Sequence, residues 1–283
     1  MNNYDYKSLS KRVIFTPQSM NSCKKNYTLM DMHVHTKYSH DSMTNIQALI
    51  KSAAKLQIGF AVTDHIRAEG AVEASRQKKV FIIPGIEIAS RENKEILLYF
   101  YSPRDLDEFY LKFIKHNITI HKTPRTGIGK ALKSVRSALP MSKIMDKAEE
   151  YSCLKGIPHP YTTYNRSSHS FFGKRAGLLR RIDSVEVLNA AHRKFMNRRA
   201  LKWAVKKDKA FTAGSDAHAL RELGSATVVV PKVDNIEDFL DAIRKRQNFI
   251  IGREMRWPSV FKDVLKSVNS KRKNGWDKIS DVD

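Results

Sequence analysis

The sequence predicts an α/β protein built as a barrel of βα units, and three observations predict it. Short β-branched or aromatic runs alternate with segments of helical periodicity along most of the chain. His- and carboxylate-rich clusters follow such runs directly: Asp31-Met-His-Val-His35, Thr63-Asp-His65, Gly85-Ile-Glu87, Pro158-His-Pro160 and Gly214-Ser-Asp-Ala-His218. A parallel βα barrel gathers its strand ends into one mouth, so clusters far apart in sequence can meet there. Finally, 283 residues with 41% hydrophobic content suffice for one barrel-sized domain with a sizeable core.

Residues 1–26 are polar and basic with little periodicity and are read as an extension before the first strand. That strand begins near Tyr27. Ile46, Leu49, Ile50 and Ala53 recur at helical spacing, which predicts a helix over 45–56 packed on it. Strands follow at 60–62, 80–84 and 95–101, then an amphipathic helix at 105–115 with Phe109 and Phe113 on its core side. Between 116 and 155 the pattern loosens into a turn-rich loop at 123–129 and two helices, around 130–137 and 142–151. Gly127-Ile-Gly129 lacks the preceding strand and following acidic residue of a dinucleotide loop, which excludes that function. A strand at 182–189, a helix at 190–207 burying Met196, Ala200 and Trp203, strands at 211–215 and 226–231, and a helix at 235–246 complete a domain of 27–261. Residues 262–283, with Lys271-Arg-Lys-Asn-Gly275, form a basic tail.

The clusters have the chemistry of a metal site. Imidazole and carboxylate are the ligands that first-row divalent ions accept in open, catalytic coordination. Five of the ten histidines fall in the clusters. On an extended segment, His33 and His35 point to the same side because side chains alternate with a period of two, so they can share an ion. Any one cluster alone is more often a turn, a cap or a satisfied core histidine. Together, each at a strand end, they point to one dispersed centre.

In order and spacing the set resembles the PHP family, named for polymerase and histidinol phosphatase, over about residues 27–231. The matching pieces are DxHxHT with a following Ser-x-Asp, TDH, GxEI, a lone HP, VExxNA, and GSDAH followed by ELG. The resemblance implies a distorted seven-stranded (β/α) TIM-like barrel of the PHP type and a metal-dependent phosphoesterase. It implies that His33, His35, Glu87 and Asp216 surround one ion, with Glu87 bridging to a neighbour that His159 completes. Asp41, His65 and His218 then form a further cluster, which some members use for a third ion. The acidic ligand after HxHT can fall one residue earlier, so His40 is the alternative to Asp41. Where trinuclear members place a histidine after the GxEI glutamate, this chain has Glu95, which leaves two or three ions open. Zinc, manganese and iron all suit such ligands.

The resemblance implies hydrolysis of a phosphate monoester, of a nucleotide or another small phosphorylated metabolite, by metal-activated hydroxide. Glu87 and His218 are the candidate catalytic groups, with Asp64 behind them holding ligands or carrying a proton. Arg67, Arg166, His192 and Arg193 flank the motifs and are candidate contacts to substrate phosphate, each with a plain surface or helix-end role as its alternative. A nuclease acting on RNA or DNA is the second reading. A noncatalytic nucleic-acid binder is the third, and the intact ligand set argues against it.

Charge bears on the choice: 51 Lys and Arg against 29 Asp and Glu leave +22, and residues 166–209 alone hold 13 basic and 3 acidic residues. Arg198, Lys202 and Lys206 stand four apart on the helix predicted there, a candidate polyanion contact or a solvated face. Two cysteines are too few for a disulfide framework or a cysteine metal site. No apolar run approaches the roughly 20 residues of a membrane span, and Met-Asn-Asn-Tyr-Asp lacks a signal-peptide core, so a cytoplasmic protein without a membrane partner is expected.

Overall fold

The computed structural model describes residues 12–14, 24–122, 133–162 and 167–255. The turn-rich loop at 123–129, the basic tail at 262–283 and most of the N-terminal extension lie outside the described residues. In chain order the strands are β1 (Val13–Ile14), β2 (Tyr27–Val34), β3 (Gly59–Val62), β4 (Ile82–Ala89), β5 (Glu95–Phe100), β6 (Ile118–Lys122), β7 (Lys133–Ser137), β8 (Cys153–Ile157), β9 (Ser184–Asn189), β10 (Ala210–Gly214), β11 (Ala226–Pro231) and β12 (Phe249–Gly252). The α-helices are α1 (Ile46–Leu56), α2 (Glu69–Ser75), α3 (Pro103–Phe109), α4 (Met141–Ala148), α5 (His169–Gly173), α6 (Ala176–Arg180), α7 (Lys194–Lys206) and α8 (Ile236–Arg244).

Local chemistry sets these boundaries. Asn45 caps α1, its side-chain oxygen accepting from the Gln47 and Ala48 amides. The helix stops where Gln57 turns left-handed at φ 53°. Ile46, Leu49, Ile50 and Ala53 are its buried face, as their spacing predicts. On α7 the buried face is Asn197, Ala200, Leu201, Trp203 and Ala204, while Met196 is half-buried.

One sheet runs in the order β1-β12-β11-β2-β3-β4-β5-β8-β9-β10, ten strands where seven are expected. Seven of them, β2 to β10 in that order, form the barrel wall, which closes where Val34 bridges Ala217. The His35 amide donates to Ala217 O (3.0 Å) and the Asp216 amide to His33 O (2.8 Å). The first half of β2 instead pairs antiparallel with β11, so two strands share one edge of β2 and the barrel is distorted. β12 and β1 extend the sheet beyond β11; residues 13–14, expected in the extension, are thus part of it. Tyr99 spans the interior and donates its hydroxyl to Met32 O at 2.9 Å.

Two expectations are corrected. The wall is not all parallel: β5 runs antiparallel to both β4 and β8. Only five residues join β4 to β5, with Asn93 left-handed (φ 58°) and its amide donating to Ser90 O, and so short a turn can only reverse the chain. Of the helix expected at 130–137, the described residues 133–137 are the strand β7, paired with β6 in register Ile120 with Val135. There, pairing with a partner strand overrides a weak helical pattern.

Gly214 lies against β2 at the closure: a Cβ there would sit 2.2 Å from His33 Cβ and 2.6 Å from His33 N. Gly214→Ala is expected to cost about 1–3 kcal/mol by overpacking, seen as a lower denaturation midpoint, and to weaken divalent-ion uptake because it displaces His33.

Candidate metal centre

The expected ligands converge at the mouth. His33 lies on β2 and His35 just after it, both fully buried; His65 follows β3, Glu87 lies on β4, His159 follows β8, and Asp216 and His218 follow β10. Glu87 stands at the centre, with 1% of its side chain exposed. Its Oε2 lies 3.0 Å from His65 Nδ1, 3.3 Å from His33 Nε2 and 3.6 Å from His35 Nε2, and its Oε1 lies 3.2 Å from His159 Nε2. Asp216 Oδ1 is 3.1 Å from His35 Nε2 and 3.6 Å from His33 Nε2.

A second group adjoins the first. Asp41 Oδ2 is 3.1 Å from His218 Nε2 and 3.3 Å from His65 Nε2. His40 Nε2 lies 3.9 Å from the same oxygen, outside the grouped donors, so Asp41 is the residue brought into the centre. Donor atoms of His35, Asp41, His65 and His218 lie within 4.8 Å of one another, as do those of His33, Glu87 and His159, of His33, His35 and Asp216, and of His65, Glu87 and Glu95. The antiparallel course of β5 is what brings Glu95 to the mouth, 3% exposed and 3.9 Å from His159 Nε2.

Backbone strain supports the site. Ile66, His159 and Asp216 have φ of 53°, 23° and 55°, and each is one of the grouped donors or follows one. For a β-branched residue such as Ile66 this is a marked outlier, of the kind that clusters where geometry is held for function.

Electrostatics separates the histidines. Burial disfavours charge on His65 and His218, yet Asp41 overrides it and pushes them up to about 9 and about 10. Burial opposes charge on His159 as well, and the hydrogen bond to Glu87 outweighs it, to about 9. His35, buried and beside His218, is pushed down to about 4. Burial would raise the Glu87 carboxyl, but His65 and His33 hold it well below the usual range. The donor set fits divalent ions on its own chemistry: nitrogen and carboxylate oxygen atoms crowd together, and His35 Nδ1, fully buried, has no hydrogen-bond partner among the described residues.

The remaining candidates divide. Asp64 stands outside the grouped donors: its two oxygens accept from the Thr36 amide and hydroxyl, both at 2.6 Å, which fixes the loop after His35. Arg67 is turned to Glu69 (3.1 Å) and the Tyr110 hydroxyl (3.2 Å). His192 stacks on His159, ring centroids 5.0 Å apart, and Arg193 is exposed at the start of α7, so both border the mouth. Arg166 lies outside the described residues.

Sequence reasoning assigned no role to Asp31, Glu186, Asn189 or Glu222, although all lie within quoted motifs. Asp31 accepts from the Ser215 amide (2.8 Å) and hydroxyl (2.6 Å) and the Gly224 amide (2.8 Å), tying β2 to the segment after β10. Glu222 accepts from the His218 amide at 2.8 Å.

The PHP domain model matches residues 31–138 and the PHP-associated model residues 195–248. The chain carries a PHP domain. Its fold is similar to that of a putative metal-dependent phosphoesterase from Bifidobacterium adolescentis (TM-score 0.53, 17% identity, 77% of this chain and 96% of that one). The chain is 25% identical over 257 residues to the uncharacterized protein MJ0417 of Methanocaldococcus jannaschii, covering 87% of this chain and 86% of that one. Its fold is similar to that of PsfC from Pseudomonas syringae (TM-score 0.57, 16% identity, 86% of this chain and 98% of that one). It is also similar to endonuclease Q from Pyrococcus furiosus (TM-score 0.57, 18% identity, 79% of this chain and 57% of that one), an enzyme also solved with a 27-mer duplex bearing an abasic lesion at its active site.

Two outcomes test the centre. Asp41→Ala is expected to lower the ions retained per chain, measured by mass spectrometry of the metal, while His40→Ala leaves them unchanged. Divalent ions need imidazole lone pairs, so binding displaces the protons that His65, His159 and His218 carry up to about pH 9 or 10. Proton release means that affinity rises from pH 6 to pH 9. Calorimetry in buffers of different ionisation enthalpy checks the sign.

Proposed function

We propose that the protein hydrolyses phosphate monoesters of small molecules, nucleotides or other phosphorylated metabolites, at a centre of two or three divalent ions. The observation that carries this reading is the depth of the site. Asp216, the most exposed of the grouped donors, has 13% of its side chain exposed, and Glu87 has 1%. A floor so recessed suits a terminal phosphoryl group entering end-on better than the middle of a polymer.

His33, His35, Glu87, His159 and Asp216 would hold ions on one side, and Asp41, His65 and His218 on the other, with Glu87 between them; Glu95 is a further donor. What divalent ions would supply there is an acidified water near neutral pH and positive charge for the phosphoryl oxygens. The chain's own groups do the rest. In a two-ion centre, where its Nε2 holds no ion, His218, anchored by its ring Nδ1–H on Asp216 O at 2.8 Å, is assigned proton return to the leaving oxygen. Asp64 holds Thr36 and so the loop that carries His35. His192 and Arg193 at the rim are assigned the incoming phosphate, which favours charge-assisted hydrogen bonds. Arg67 has that role less readily, because Glu69 and Tyr110 already engage its guanidinium.

A nuclease is the second reading, and the face of α7 favours it. Arg198, Lys202 and Lys206 are exposed along a helix that starts beside His192, so they lead away from the mouth. Phe195, 49% exposed, sits under Arg199 at 5.7 Å. Such a surface can track a phosphate backbone and stack a base, and endonuclease Q shows a similar fold at work on DNA. Among the described residues no helix is long and apolar enough to cross a membrane, and the buried free thiol of Cys153 suits the proposed cytoplasmic setting.

Stripped protein given manganese or zinc is expected to release phosphate from p-nitrophenyl phosphate and nucleoside bisphosphates. Salt-sensitive shortening of labelled oligonucleotides without phosphate release from monoesters would reverse the order of the two readings. In that case, replacing Arg198, Lys202 and Lys206 with Gln is expected to raise KM for oligonucleotides several-fold and leave p-nitrophenyl phosphate turnover unchanged.

A further inference from the structure

Behind the ligand groups lies a carboxylate that holds no place among the grouped donors. Glu186 on β9 has 1% of its side chain exposed, and both of its oxygens face the centre's supports. Its Oε1 lies 3.0 Å from His33 Nδ1. Its Oε2 accepts the His159 backbone N–H at 2.8 Å and the Asn189 side-chain N–H at 3.0 Å. Asn189 Nδ2 also donates to Asp216 Oδ2 at 3.2 Å. The amide orientation is fixed independently, because Asn189 Oδ1 accepts the Ala191 amide at 3.0 Å.

We infer that Glu186, with Asn189, is a positioning residue that sets the His33, His159 and Asp216 side of the centre and leaves the Asp41, His65 and His218 side untouched. With Nδ1–H donated to Glu186, His33 keeps the lone pair on Nε2, the atom turned to Glu87 at 3.3 Å and Asp216 at 3.6 Å. The bond to the His159 amide holds a backbone at φ 23°, from which the ring reaches Glu87. Asn189 takes one oxygen of Asp216 and so leaves the other for His35 and His33. Three donors meet one side chain, and only a carboxylate accepts on both oxygens. Gln has the same shape but one acceptor. In Glu186→Gln either His33 loses its partner or an amide N–H faces the N–H groups of His159 and Asn189.

This inference rests on the reading of the cluster as a metal centre, and the experiment separates the two. Chelator-stripped full-length protein is titrated with Co2+, followed by visible absorption and by ions bound per chain. Nitrogen-15 spectra of the zinc-loaded protein report the histidine tautomers. Glu186→Gln is expected to weaken one class of bound ion about 10–100-fold, to leave the other class at wild-type affinity, and to shift one histidine from its Nδ1–H tautomer. Asn189→Ala, which keeps the Glu186–His33 pair, is expected to weaken the same class to a lesser degree without the tautomer change, and it carries the test if Glu186→Gln fails to fold. Wild-type Co2+ binding by Glu186→Gln, or equal loss of every ion, overturns the inference alone. No Co2+ uptake by the unsubstituted chain overturns the metal centre and the inference with it.

Discussion

A buried anion governs this structure. Removing the Glu87 carboxylate from water is costly unless partners compensate, since an unpaired ion in a protein interior costs several kcal/mol. The compensation comes from separate parts of the chain: His33 and His35 from β2, His65 from beyond β3, His159 from beyond β8. Each brings an imidazole to one of two oxygen atoms. The barrel wall is therefore constrained at its mouth to bring the ends of three strands, β2, β3 and β8, around one point on β4.

Topology then decides which further groups arrive. The short turn between β4 and β5 reverses the chain and delivers the start of β5, with Glu95, to the mouth rather than to the barrel floor. Closure between β10 and β2 delivers Asp216 and His218, and Asp31 locks that closure by gathering the Ser215 and Gly224 donors. The glycine at 214 belongs to the same constraint, because any side chain there would meet His33. Ligand chemistry and strand packing share atoms at this point, so a change made for one is felt by the other.

The grouped donors other than Asp41 and Glu95 were legible in the sequence because each sits in a short cluster with local meaning: His-x-His alternates along a strand, and the others follow β-type runs. The helix at Ile46–Leu56 was legible through its spacing and the Asn45 cap. Features that depend on a distant partner were not. The strand β7 owes its conformation to β6, and residues 13–14 owe theirs to β12, some 237 positions away. The turn at Asn93 carried a readable signal for an antiparallel β5, a five-residue connection with a left-handed position, which the βα pattern on either side obscured. Glu186 was visible in Val185-Glu-Val-Leu-Asn-Ala190, but its role appears only once His33, 153 positions away, is beside it. Arg67 shows the reverse case, since its nearness to Thr63-Asp-His65 suggested substrate while Glu69, two residues on, engages it.

The same constraint shapes the exterior. Seven carboxylates, Asp31, Asp41, Asp64, Glu87, Glu95, Glu186 and Glu222, are buried, and among the described residues no Lys or Arg is. Much of the acidity of a chain with only 29 Asp and Glu is thus withdrawn into the mouth and its supports, and the surface is more basic than the formal +22 conveys. An anion approaching from solvent would meet cations first, which raises its local concentration and its rate of encounter. The interior acids would repel it in turn, unless divalent ions stand between. With ions loaded as proposed, attraction outside and a cation-dependent welcome inside would make anion binding conditional on the loaded centre, so one distribution of charge would serve both stability and selectivity.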